Sequence, residues 1–180
     1  RFHIHVFDPS GQANEGRPLF ESTFRAYGTP FGPKAIGWGD FDEDGVLDAA
    51  VLCEGDYGVD GFAAPIQILY GRRDGSFVQG PALQNVYGAR DLAVSDVDRD
   101  SHADLVVSGG YSVSTFRGRG DGSFGAENLH SIDSNFGSVR VADFNEDGWP
   151  DLVATEISSV SHTFFLLNDG TGYFGERMDL

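Results

Sequence analysis

The chain has 180 residues, enough for one domain with a substantial core, and 40% of them are apolar. Its 28 acidic residues against 12 basic ones give a net charge of −16, which disfavours nucleic acid or anionic lipid as a partner, because both require cations to neutralise phosphate. Twenty-five glycines and 15 phenylalanines suit a turn-rich all-β chain, Cys53 alone excludes an intramolecular disulfide, and no apolar run approaches the ~20 residues of a membrane helix.

Opening at Arg1 without Met or a leader, the sequence reads as a processed product or an excised piece. Residues 2–7 and 19–25 flank a turn-like stretch at 8–17 and read as the last two strands of an incomplete unit over 1–27. Three fuller units follow at 28–84, 85–130 and 131–180. In each, a first strand (34–41, 91–97, 138–144) runs into an acidic loop and a second (48–52, 104–108, 151–155) leaves it. A third strand (65–70, 112–117, 162–167) precedes an Asp-Gly turn, and a fourth follows at 76–83 and 123–129 but only begins at 173–180. The acidic loops start at Asp40, Asp96 and Asp143, a repeat of 56 and then 47 residues. A lone four-stranded sheet cannot bury both faces, so the units must stack. Three and a half of them make an open arc of a β-propeller, which needs either further units or a second copy of the chain to close.

The acidic loops share the pattern Asp-x-Asp/Asn-x-Asp-Gly/Ser-x-x-Asp. Oxygen donors stand at positions one, three, five and nine: Asp40, Asp42, Asp44 and Asp48; Asp96, Asp98, Asp100 and Asp104; Asp143, Asn145, Asp147 and Asp151. A position-seven backbone carbonyl adds another, from Val46, His102 and Trp149. Six to eight hard oxygens at about 2.3–2.6 Å suit Ca²⁺, and a glycine at position six permits the positive φ that wraps the chain round an ion. Position twelve is Val51, Val107 and Ala154 rather than Glu, which excludes the helix–loop–helix calcium site. Eleven of the 28 carboxylates fall in these twelve positions, a concentration that would be costly without a cation. Up to three calcium ions are expected, the second bound most weakly because Ser101 takes the glycine place.

With its acidic loops, four-strand units and trailing Gly-Asp-Gly-Ser-Phe-Gly, the sequence resembles the FG-GAP repeat, also called the VCBS or integrin-α-like repeat. The resemblance implies a propeller, often seven-bladed, with a calcium loop in many blades. It also implies a secreted or cell-surface setting and a role in adhesion or in protein or glycan interaction. The alternatives are a lectin with sugar between its blades and the ancillary propeller of a secreted polysaccharide-acting enzyme.

Other patterns carry less. Gly120, Gly122 and Gly125, like Gly170, Gly172 and Gly175, match a dinucleotide fingerprint, yet they fall on hairpin turns where no helix is predicted. Arg119-Gly120-Asp121 sits where the repeat places its turn. His3 and His5 share a strand face without a third ligand, and Trp38, Tyr87, Tyr111, Phe136 and Trp149 are candidates for packing between units. No nucleophile elbow, zincin helix or phosphate loop is present, so binding rather than catalysis is expected. Specificity loops are expected at 28–33 and 53–64.

Overall fold

In the computed structural model the described residues are 2–6, 25–29, 32–54, 63–131, 135–157 and 162–179. All regular structure among them is β. A two-stranded sheet pairs β1 (Phe2–Val6) with β2 (Arg25–Thr29). Three four-stranded antiparallel sheets follow in simple meander order. The first holds β3 (Pro33–Gly39), β4 (Asp48–Cys53), β5 (Ala63–Gly71) and β6 (Phe77–Tyr87). The second holds β7 (Ala89–Ser95), β8 (Asp104–Gly109), β9 (Ser112–Phe116) and β10 (Asn128–Ser131). The third holds β11 (Phe136–Ala142), β12 (Asp151–Glu156), β13 (Thr163–Asn168) and β14 (Phe174–Asp179). These are stacked, propeller-like blades.

The second strands explain why the blades stack. Along β4 every residue is buried, Ala50 and Leu52 toward the second blade and Ala49, Val51 and Cys53 toward the opposite side. Along β8, Leu105 and Val107 face the first blade while Val106 faces the third. A strand apolar on both faces must be covered on both, which a single sheet cannot do. One apolar cluster joins Phe41, Ile66 and Ile68 to Leu92, Phe116 and Phe124, and a second joins Val97 and Val113 to Phe136, Phe164 and Phe174. Gly37 makes the first stacking close, since a Cβ there would stand 2.5 Å from Leu92 and Val94 side-chain atoms.

Three strands differ from the sequence reading. The fourth strand of the third blade, expected only to begin, runs Phe174–Asp179 and pairs along β13, where a register shift at Leu167/Asn168 sets Phe174 into the second cluster. In the second blade it is confined to Asn128–Ser131, because the glycine-rich stretch before it forms only the Gly118–Phe124 bridge. Strand β2 begins at Arg25 instead of ending there, and residues 19–24 lie outside the described ones.

Of the aromatic candidates, Phe136 is buried edge-on to Phe164 and Trp149 is half-buried, whereas Tyr87 and Tyr111 are exposed. Trp38 is 46% exposed, near Phe77 on the first blade's outer side. The side chains of His3 and His5, and most of 53–64, lie outside what the structure describes.

Candidate metal centres

Each acidic loop joins the first strand of a blade to the second, and all three are built alike. The position-one carboxylate receives the amide at position six: Gly45 N–H donates to Asp40 Oδ2, Ser101 N–H to Asp96 Oδ2 and Gly148 N–H to Asp143 Oδ2, each at 2.9 Å. Position three accepts from position five, as Asp44 to Asp42 (3.3 Å), Asp100 to Asp98 (3.3 Å) and Asp147 to Asn145 (3.0 Å). Position five accepts from position seven, with Val46, His102 and Trp149 donating to Asp44, Asp100 and Asp147 at 2.8, 2.9 and 2.8 Å. Successive Asx turns of this kind coil the chain tightly and point its carboxylates inward.

Position nine has a second role that spacing alone does not disclose. Asp48, Asp104 and Asp151 are fully buried. Each carboxylate ties its loop to the far end of the third strand by accepting two backbone amides. Asp48 accepts from Phe41 (2.8 Å) and Gly71 (2.7 Å), Asp104 from Val97 (2.8 Å) and Gly118 (2.7 Å), and Asp151 from Phe144 (3.1 Å) and Asn168 (3.0 Å). Burial raises the pKa of Asp48 and pushes that of Asp104 up to about 6; the two amides oppose the shift in each, and neighbouring loop carboxylates reinforce it. A cation there would oppose both shifts by favouring the charged carboxylates.

The first two loops gather three carboxylates each. One oxygen each from Asp40, Asp42 and Asp48 lie within 4.8 Å of one another, and so do those of Asp96, Asp98 and Asp104. In the third loop position three is Asn145, so the corresponding places hold two carboxylates, Asp143 and Asp151, and one amide oxygen. The first two loops are each covered by the following blade, so that Phe41 and Val97 are 2% and 0% exposed. A cavity of about 330 Å³ opens beside this third loop, lined by Asn145, Asp147, Leu167, Asn168, Asp169, Tyr173 and Gly175.

Ser101 adopts φ +76 where Gly45 and Gly148 have +81 and +92, so the second loop keeps the same shape and carries the strain of a Cβ. Position four is also left-handed without glycine, at Glu43, Arg99 and Glu146 with φ 56, 59 and 62. That feature left no mark in the sequence.

The hairpin turns after the third strands account for the remaining motifs. Gly120, Gly122, Gly170 and Gly172 all have positive φ, and no helix is present among the described residues to serve a dinucleotide fingerprint. In Arg119-Gly120-Asp121 the aspartate is engaged within its own turn, accepting from Ser123 N–H at 2.9 Å and Ser123 Oγ at 2.6 Å.

All-oxygen clusters on hairpins of stacked four-stranded blades define the class: a propeller-like repeat protein whose loops are suited to a hard divalent cation. Residues 96–154, from the second acidic loop into the third blade, match the model of the FG-GAP-like repeat. Among solved structures it is similar to a lectin of Agrocybe aegerita described as recognising non-reducing terminal N-acetylglucosamine. The identity is 18% and the TM-score 0.44, with 79% of this chain and 50% of that chain covered, so this chain spans half the length of that relative. No curated protein matches the chain.

Proposed function

We propose that this chain is a calcium-binding propeller module of a secreted or cell-surface protein, which presents its loops for protein or glycan interaction and performs no catalysis of its own. The observation that carries the reading is the convergence of three carboxylate oxygens within 4.8 Å in each of two successive loops. The donor set is entirely hard oxygen, which suits Ca²⁺ and not a thiophilic or imidazole-seeking metal. Calcium would supply charge neutralisation and a rigid centre for the loop. Asp40, Asp42, Asp44 and Asp48 would hold one ion with the Val46 carbonyl, and Asp96, Asp98, Asp100 and Asp104 another with that of His102. The third set, Asp143, Asn145, Asp147 and Asp151 with the Trp149 carbonyl, would hold a third ion with one carboxylate fewer. Millimolar extracellular calcium suits sites of this kind, which is the support for the localisation.

A thermal melt across a calcium titration tests the reading, with chelator and equimolar Mg²⁺ as controls. The melting point is expected to rise with Ca²⁺ and much less with Mg²⁺, and Asp40→Ala or Asp96→Ala to remove more of the rise than Asp143→Ala. A cooperative melt indifferent to calcium and chelator alike would overturn it, leaving the loops as acidic turns.

A further inference from the structure

Successive acidic loops touch through one repeated contact between side chains, none of which is itself a proposed donor; the position-seven residues contribute to the ligand set only by their backbone carbonyls. The left-handed position-four residue of each loop reaches the position-seven residue of the next. Glu43 Oε1 lies 2.5 Å from His102 Nδ1, joining the first loop to the second. The Arg99 guanidinium carbon lies 5.1 Å from the centroid of the Trp149 ring, joining the second to the third. An acid–imidazole contact and a cation–π contact share no chemistry, yet they occupy the same place in the repeat.

The receiving side chains are confined from a second direction by glycines of their own blade. A Cβ on Gly120 would stand 2.6 Å from His102 Nδ1, and one on Gly170 would stand 3.1 Å from the Trp149 ring. Position seven is thus held between the preceding loop and its own blade's turn. Its amide also donates to the position-five carboxylate, at 2.9 Å for His102 and 2.8 Å for Trp149. A side chain fixed there restrains the backbone of the residue whose carbonyl is the proposed position-seven donor.

We propose that the Glu43–His102 and Arg99–Trp149 clasps couple the loops, so that ordering one raises the calcium affinity of the next along the chain. The coupling rests on the calcium reading given above. A filled first loop holds the backbone at Glu43 in its left-handed conformation, and Glu43 then holds His102 with less conformational freedom left to lose. By linkage the effect is reciprocal, and a factor of about five to ten lies within the ordinary range for coupled sites. The third loop, which has Asn145 in place of a carboxylate, brings the least charge to an ion and fills last.

Calorimetric calcium titration of the full chain at pH 7.5 tests this, using the wild type, Glu43→Ala, Glu43→Gln and Arg99→Ala. Both altered side chains are exposed and outside the proposed ligand set, and melts in chelator confirm that the variants fold. Glu43→Ala is expected to weaken the second binding step about fivefold at unchanged stoichiometry, and Glu43→Gln, which can still meet His102, to restore most of it. Arg99→Ala is expected to weaken the last step and leave the first two unchanged. Folded variants with wild-type stoichiometry and wild-type constants would overturn the coupling and leave the calcium reading standing. A wild type that binds no calcium would overturn both.

Discussion

The buried carboxylate of Asp104 makes the metal-free chain respond to acid against the usual trend. Its pKa is pushed up to about 6, from an ordinary value of 3.8. A group whose folded value is raised contributes stability that is fully present below the unfolded value and lost as pH rises through the folded one. Between pH 7.5 and pH 5.0 the folded form takes up nearly a full proton at this site and the unfolded form almost none, a gain of about 1.4 kcal/mol on acidification. Other groups titrate across the same window, so the wild type must be compared with Asp104→Asn, which keeps the shape and lacks the titration. Urea denaturation of both in chelator, at the two pH values, isolates the difference. The wild type is expected to gain about 1–2 kcal/mol relative to the variant on going to pH 5.0. Calcium should reverse the sign, because the proton must leave before the carboxylate can bind, so calcium affinity falls as pH drops through about 6. A wild type that loses stability relative to Asp104→Asn on acidification in chelator would refute the account of this carboxylate as desolvated and merely hydrogen-bonded.

Further expectations concern single positions. Ser101→Gly relieves a side chain at φ +76, and strain relief of about 1–2 kcal/mol against a Gly entropy cost of under about 1 leaves a net stabilisation of some tenths to 1 kcal/mol in urea denaturation; a loss would show that Ser101 is not strained. His130 is buried with Nδ1 unpartnered, and burial lowers its pKa below the ordinary 6.5. Its contribution is therefore present above 6.5 and lost as pH falls below it, and His130→Phe should flatten that part of the stability profile; an unchanged slope would place the ring in water. Gly122→Val is expected to cost about 2–4 kcal/mol by thermal melt, since Gly122 has φ +83 and a Cβ there would stand 2.8 Å from the Tyr70 ring. A smaller loss would mean that the first two blades separate easily.

The sequence disclosed what repeats and left obscure what depends on a neighbour. Asp40, Asp96 and Asp143 announce themselves because a loop that coils on its own amides must space its acceptors two residues apart, and that spacing survives in any single copy. The apolar runs of β4 and β8 are equally legible as strand, but only the packing shows that Ala50 faces the second blade while Ala49 joins a separate cluster within the first. Ser101 marks the second loop by the penalty of a side chain at positive φ, yet the loop keeps its shape, with φ +76 against +81 and +92 at Gly45 and Gly148. The first and second loops both gather three carboxylates, and the position-two side chain of each, Phe41 and Val97, is buried in an apolar cluster that spans two blades, a placement no local pattern can carry. The setting of a loop in this repeat is therefore a property of the interface between blades as much as of the loop. A substitution that loosens Val97 from Phe174 should then weaken calcium binding at Asp96 and Asp98 without touching a single ligand.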